Sequence, residues 1–387
     1  MFDIDICRAS QRETLVYNQA MTSDEKFNLI TRNLEETLTS EELKSLLKSD
    51  IPLKHYIGFE ISGKIHLGTG LYTMLKIRDL QKAGVETMVL LADWHTWLNK
   101  KLDGTLGTAS RLAREYFQEG LKAAALCAGA DIEKIEFVLG SELYQKSGLD
   151  YWSAVIKVSK ATTLARMLRS TTIMGRKEGE ISDAAMLIYP PMQASDIFTL
   201  GVNLSHAGTD QRNVHVVARD TAQEAGYIKP VVIHHHLLQG LLKPAIWPIP
   251  EEDRDATVEA MKMSKSKPDS AIFIHDTPEE IKRKLGNAFC PEGEVKYNPI
   301  LDWAKNLIFY DEGSTLEIKR DEKWGGNLTY NSYEELEKDY AGKELHPQDL
   351  KNAVADWLII KLEPARKYFE DPKKKEALEE IERLTAR

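Results

Sequence analysis

Short, unbroken apolar runs set between amphipathic stretches constrain this fold more than any other feature. Met88-Val89-Leu90-Leu91-Ala92, Phe137-Val138-Leu139 and Val231-Val232-Ile233 carry apolar side chains on consecutive residues. A parallel strand covered on both faces needs that pattern. Tyr56-Ile57-Gly58-Phe59-Glu60 reads as a further strand. A helix follows from about Gly68, with Leu71, Met74 and Leu75 on one face. A longer helical stretch covers about Ala109 to Ala128. The alternation predicts an α/β fold, a doubly wound, Rossmann-type parallel sheet whose ligands bind beyond the carboxyl ends of its strands.

The remaining chain is read around that sheet. Residues 23–48 look like two short helices, and Thr39 with Glu42 makes a capping box ahead of Leu43, Leu46 and Leu47. We expect an N-terminal helical segment at 1–50 and a Rossmann-type domain at 51–260, with a helical, basic insertion at about 151–188. A loop and linker at 261–276 then lead to a mostly helical domain at 277–387. A chain of 387 residues is long enough for two domains, each with its own core.

Composition removes several classes. With 42% hydrophobic and 29% charged residues the chain is not disordered. No apolar run reaches the length of a membrane span, and Met1-Phe2-Asp3-Ile4-Asp5 is no signal peptide. Cys7, Cys127 and Cys290 lie far apart without CxxC spacing, as suits thiols in a reducing cytoplasm. The net charge of −9 argues against bulk attraction to DNA or RNA. Contact with RNA would need local patches such as Lys157, Lys160, Arg166, Arg169, Arg176 and Lys177, or Lys282-Arg283-Lys284. The triple His234-His235-His236 lies in a strand, where neighbours point to opposite faces, so the three rings cannot share one metal ion.

Two motifs about two hundred residues apart carry the chemistry. Ile65-His66-Leu67-Gly68-Thr69-Gly70 follows the first strand, and Lys262-Met263-Ser264-Lys265-Ser266 sits in a polar loop. Together, in this order, they resemble the two ATP-binding signatures of class I aminoacyl-tRNA synthetases. The resemblance implies attack of an amino-acid carboxylate on the α-phosphate of ATP, with loss of pyrophosphate. Such a reaction depends on positioning and on stabilising charge. A helix start with glycines at 68 and 70 offers N–H groups and close approach to a triphosphate. Lys262 and Lys265 would then hold the outer phosphates, with Mg²⁺ arriving on ATP rather than in a permanent site. His66, Thr69, Lys262 and Lys265 are therefore the expected catalytic group, and Gly68, Met263, Ser264 and Ser266 the expected ATP contacts. Thr69 stands where the family usually has a second His, and its hydroxyl can donate a hydrogen bond but carries no charge.

Longer strings narrow the resemblance. Leu29-Ile30-Thr31-Arg32-Asn33-Leu34, Tyr189-Pro190-Pro191-Met192-Gln193-Ala194-Ser195-Asp196, Asp321-Glu322-Lys323-Trp324-Gly325-Gly326 and His346-Pro347-Gln348-Asp349-Leu350-Lys351-Asn352 all look like tyrosyl-tRNA synthetases of the archaeal and eukaryotic type. The likeness runs from about residue 23 to 370. It implies that Tyr56 and Asp196, beside Gly58, hold the phenol hydroxyl of tyrosine. Tyr189, Gln193 and Gln211 would take its α-amino group. Asp210 would meet the ATP ribose, with Gly208 giving room. Arg169 and Arg212 would read the acceptor stem of the tyrosine tRNA, and Trp324, His346 and Asp349 the anticodon, by stacking and by edge contacts. Asn213 stands where a Lys is frequent. Tyr144 stands where relatives often place a Gln, so either the local alignment slips by one, to Gln145, or the pocket wall differs. The family also implies a homodimer through the insertion. Two rivals stay open at this stage, a tryptophanyl-tRNA synthetase and a non-catalytic RNA-binding paralogue. Tyr56 and Asp196 argue against the first, because an indole offers only an N–H donor.

Overall fold

The computed structural model describes residues 21–175, 180–250, 261, 263 and 267–386. Six strands form one sheet in the order β1 (Leu34–Leu38), β6 (Val231–His235), β5 (Leu204–Gly208), β2 (Lys54–Phe59), β3 (Glu86–Leu91) and β4 (Ile135–Leu139). Strands β2 to β6 run parallel, and β1 closes the edge antiparallel to β6. From β2 the chain winds outward through β3 and β4; from β5 it winds the other way to β6. The direction of winding reverses between β2 and β5, and a crevice opens at their carboxyl ends. The doubly wound sheet expected from the apolar runs is present, with β5 and β6 buried along their whole length.

Residues 23–48 differ from the two-helix reading. Between the helices Ser23–Thr31 and Ser40–Leu47 lies β1. Its Leu-Glu-Glu-Thr-Leu sequence hides a strand because both glutamates have partners. Glu36 pairs with Arg212 and His234, and Glu35 with His236. The capping box at Thr39 and Glu42 forms as read, and Thr22 with Glu25 makes a second. The insertion is helical. Its first helix leaves β4 directly as Gly140–Lys160, broken at Gly148, whose φ of 53° suits glycine.

Beyond the sheet, helices Pro278–Gly286, Pro347–Lys361, Glu363–Tyr368 and Pro372–Thr385 accompany a small antiparallel pair, β7 (Leu316–Ile318) and β8 (Leu328–Tyr330). The apolar side chains of this region continue the core beneath the sheet. One buried apolar cluster runs from Ile57, Leu71 and Leu121 to Trp303, Leu358 and Ile381. Small Ala123, Ala124 and Ala125 in helix Glu119–Ala128 let helix Glu363–Tyr368 approach closely. Ion pairs add to the join: Arg78 to Asp311 at 2.6 Å and Lys64 to Glu382 at 2.8 Å. On the opposite sheet face Tyr56 and Leu90 pack with Tyr151, Met192 and Val217. No described helix is long and apolar enough to cross a membrane.

Candidate active site

A cavity of about 290 Å³ opens where the winding reverses. Its walls are the ends of β2 and β5, one face of helix Tyr189–Thr199, the turn at His66 to Thr69, and Met263. Pro190 and Pro191 occupy the first turn of that helix, where a missing N–H costs little. The spacing of four and then three places Tyr189, Gln193 and Asp196 on the cavity side together.

Asp196 forms the floor. It is fully buried, and the Tyr151 hydroxyl donates to its Oδ1 at 2.9 Å. Its Oδ2 has no hydrogen-bond partner and lies 3.6 Å from His95 Nε2. Burial pushes the Asp196 carboxyl up to about 8, against the pull of Tyr151, and pushes His95 down to about 3. The imidazole is therefore neutral, and the contact is not an ion pair. An unpaired buried oxygen is costly, so this floor is built for a donor that enters with the ligand. Tyr56 stands beside it, its phenol kept protonated by burial and by the Asp196 charge. Gly58 is small for a reason: a Cβ there would lie 2.5 Å from the Tyr56 hydroxyl.

Higher in the cavity, Tyr189 donates to Glu60 Oε2 at 3.3 Å, and Asn99 Nδ2 donates to the same oxygen at 2.8 Å. Gln193 Nε2 donates to Gln211 Oε1 at 3.2 Å, and Gln211 Nε2 to the Ile173 carbonyl at 3.1 Å. Glu60, Asn99, His95 and Tyr151 have no role in the sequence reading. Glu60 carried a usable signal, as a carboxylate at the end of a strand leading into the crevice. A lone His or Tyr inside a helix, or an Asn just past the end of one, carries none. Tyr144, in doubt from the sequence, is buried and stacks on Tyr151 with ring centroids 4.1 Å apart, away from the cavity wall.

At the other end, His66 begins the turn that leads through Gly68–Tyr72 into helix Thr73–Lys82. The Thr69 N–H donates to His66 Nδ1 at 3.3 Å, and Thr69 Oγ1 lies 3.2 Å from His66 Nε2. With Nδ1 accepting, the ring proton sits on Nε2 and is donated to Thr69 Oγ1. The Thr69 hydroxyl proton then remains to donate to a ligand. A Cβ at Gly68 would come within 3.2 Å of the His66 ring. Leu67 N donates to the Ile272 carbonyl at 3.0 Å, and Ile274 N to that of Ile65 at 3.0 Å. These bonds tie the first motif to the segment just after the second, and Met263 lines the same cavity. Lys262, Ser264, Lys265 and Ser266 lie outside the described residues. Asp210 and Gly208 close this end. A Cβ at Gly208 would meet Asp210 Oδ1 at 2.9 Å and Leu237 at 2.6 Å.

The residues expected to face RNA lie outside the cavity. Trp324 is 68% exposed on a turn ended by Gly325 and Gly326, whose φ values are 93° and 73°. Arg320, which the sequence reading passed over, donates to the Gly326 carbonyl at 3.1 Å and to that of Glu344 at 3.3 Å. It thereby links the Trp324 turn to the segment before His346. His346 is exposed and caps helix Pro347–Lys361, accepting from Gln348 N at 3.1 Å, with Asp349 in the first turn. Arg169 is exposed on helix Leu164–Ser170, and Arg212 pairs with Glu36 through Nε at 2.9 Å.

Lys282-Arg283-Lys284 is not a basic patch. Lys284 is buried, 2.6 Å from Asp276, and Arg283 pairs with Asp269 at 2.8 Å. Nor do the three consecutive histidines gather around one point. His234 bonds His215 at 3.0 Å, His235 bonds His206 at 2.8 Å, and His236 meets Asp302 at 2.7 Å.

Comparison with known proteins agrees with this geometry. The model of the tRNA synthetases class I (W and Y) matches residues 48–363, so the chain belongs to that family. Within it the chain is a member of the tyrosyl branch. A tyrosine–tRNA ligase of Thermococcus sibiricus is 54% identical over 361 residues, covering 90% of this chain and 96% of the relative. The structure of tyrosyl-tRNA synthetase from Pyrococcus horikoshii, complexed with L-tyrosine, superposes with a TM-score of 0.89 at 51% identity, covering 94% of this chain and all of that one. A tryptophanyl-tRNA synthetase from Aeropyrum pernix, at 19% identity and a TM-score of 0.63, shares the fold alone.

Proposed function

We infer that this enzyme, an aminoacyl-tRNA ligase that uses ATP, activates tyrosine as tyrosyl-adenylate and transfers it to the 3′ end of its tRNA. The observation that carries this reading is the unpaired Asp196 Oδ2 at the cavity floor beside Tyr56. A phenol donates its proton to that oxygen while its own oxygen accepts from Tyr56. Phenylalanine would leave both groups buried and unpaired. Glu60 and the two glutamines form the acceptor-rich rim that suits an α-ammonium, and Tyr189 orients Glu60.

This leaves the tyrosine carboxylate near the His66 turn. There it attacks the α-phosphorus, a P–O bond forms, and the bond to pyrophosphate breaks. His66 donates to Thr69, and Thr69 passes its own proton as a hydrogen bond to a phosphate oxygen, which accounts for a hydroxyl in the second His position. Lys262 and Lys265 act on the outer phosphates, and Mg²⁺ comes as part of the nucleotide substrate. Among the described residues no cluster of three or more His, Cys, Asp or Glu side chains is placed to hold a metal. In the second step a hydroxyl of the terminal ribose attacks the carbonyl carbon, and AMP leaves.

Arg169 and Arg212 contact the acceptor stem in this reading, and Trp324, His346 and Asp349 the anticodon. The enzyme works as a homodimer through the insertion. Supporting that, Leu149 is 87%, Leu164 67% and Ile156 59% exposed, and the last two border an apolar groove with Trp152 and Met167. Such a face suits a second copy of itself. The deciding assay is ATP–pyrophosphate exchange with tyrosine, tryptophan and phenylalanine in parallel. Exchange with tyrosine alone is expected. Exchange with tryptophan, or with none, would overturn the substrate assignment.

A further inference from the structure

Three buried histidines on adjacent strands form a chain that ends in the cavity. His55 in β2, His206 in β5 and His235 in β6 are linked in sequence. His55 Nε2 lies 3.1 Å from His206 Nδ1, and His206 Nε2 lies 2.8 Å from His235 Nδ1. His55 and His206 are wholly buried, while His235 reaches the cavity wall. Burial holds all three well below the usual imidazole range, so each ring is neutral and carries one N–H.

A chain of neutral rings has only two polarities. In one, each ring carries its proton on Nε2: His55 donates to His206, His206 to His235, and His235 Nε2–H points at the cavity. In the other, each carries it on Nδ1, and the last proton sits on His55 Nδ1. That nitrogen is buried and has no hydrogen-bond partner. A buried N–H without an acceptor is rarer and costlier than a bare lone pair, so the first polarity wins. The surroundings at the open end agree. A Cβ built on Gly208 would be 3.5 Å from His235 Nε2 and 2.9 Å from Asp210 Oδ1, so donor and carboxylate flank the same glycine. A sugar hydroxyl set between them donates to the carboxylate and accepts from the imidazole.

We propose that His235 is a nucleotide-binding residue whose Nε2–H donates to a ribose hydroxyl of ATP, and that His206 and His55 are positioning residues that fix its tautomer. The proposal rests on the functional reading above for the nucleotide, and on the histidine chain for the donor.

The first test is ¹⁵N NMR of the histidine rings in the full-length protein. All three residues should show the Nε2–H tautomer, and a chain of Nδ1–H tautomers would overturn the proposal. The second is exchange kinetics with ATP, 2′-deoxy-ATP and 3′-deoxy-ATP. His235→Leu should raise the KM for ATP about tenfold, the size of one hydrogen bond, with the KM for tyrosine unmoved. His235→Gln, which keeps an N–H donor, should recover most of the loss. One deoxy analogue should lose more affinity in the wild type than in His235→Leu, where only the bond from that hydroxyl to Asp210 is left to lose. Equal penalties for both analogues in both proteins would overturn the ribose contact. His206→Leu should raise the KM for ATP and shift the His235 tautomer signal, which a purely structural role would leave in place. The NMR arm needs no turnover, so a failure of the histidine chain shows there, whereas a failure of the functional reading shows in the exchange assay.

Discussion

The cavity and the surface proposed to face RNA spend their polar groups in opposite ways. Asp196 is wholly buried with one oxygen unpaired, whereas Arg212, half exposed outside, is already paired with Glu36. Tyr56 and Tyr151 are sealed in apolar surroundings, whereas Trp324 stands 68% exposed on its glycine turn. At the cavity floor Asp196 and Tyr56 are desolvated in advance, so a wrong ligand there meets the full cost of an orphaned partner. On the surface each group is solvated or paired and gives up little when its contact is lost. In the proposed reading, discrimination of the amino acid is therefore concentrated in a few atoms, and recognition of the RNA is spread over many.

The sharpest way to break that contrast is to remove the floor. Asp196→Ala should lower kcat/KM for tyrosine by about 10²–10³-fold in the exchange assay, since it deletes a charged hydrogen-bond acceptor and orphans Tyr56. A loss no greater than that from surface substitutions would show that burial gives the cavity no advantage. Gly58→Ala comes next. The added Cβ would sit 2.5 Å from the Tyr56 hydroxyl, too close to tolerate, so the phenol must move. The KM for tyrosine should rise about tenfold or more, one hydrogen bond's worth, while that for ATP holds.

The carboxyl of Asp196 predicts a pH dependence of known sign. With the group raised to about 8 in the empty cavity, the acceptor form grows as pH rises from 6 to 8. Tyrosine kcat/KM should climb over that window, and the climb should vanish in Asp196→Asn. Stability runs the other way. The folded protein keeps a proton that the unfolded chain gives up near the ordinary carboxyl value, so the native state loses stability as pH rises through about 8. Asp196→Asn should therefore raise Tm at pH 8 and leave it nearly unchanged at pH 4, a measurement that separates the binding role from folding.

Some of this was legible in the sequence and some was not, for identifiable reasons. The apolar runs at 88–92 and 231–233 announced parallel strands because both faces of such strands are covered. The helix carrying Tyr189, Gln193 and Asp196 was legible because spacing of four and three fixes a face. Strand β1 was hidden because Glu35 and Glu36 read as solvated helix positions, and only His236, His234 and Arg212, distant in sequence, make them strand residues. The chain from His55 to His235 was hidden for the same reason. It joins three strands, and sequence displays only the neighbours within one. The continuity of the core was not legible because helix Glu119–Ala128 buries both faces, one against helix Thr73–Lys82 and one against Glu363–Tyr368. Periodicity reports that a face is apolar and says nothing of its partner.

On the surface the effects should be smaller. Trp324→Ala should raise the KM for tRNA about tenfold, the worth of one stacked base, and leave exchange intact. A fall in exchange would make Trp324 structural, against its exposure.

The smallest effect tests the surface side of the comparison most directly. For Arg212 to reach a phosphate it must leave Glu36, which now holds its Nε at 2.9 Å. An exposed pair of this kind is worth about 1 kcal/mol or less. Glu36→Gln keeps an acceptor oxygen for His234, which lies 2.9 Å away, but removes the charge that competes with RNA. The KM for tRNA should fall by a factor of about two to five at low salt, the equivalent of that pair, and the gain should shrink as salt screens the new contact. No change at any salt concentration would mean that Arg212 serves only to fasten β1 to the sheet. The acceptor stem would then be read elsewhere, with Arg169 the next residue to substitute.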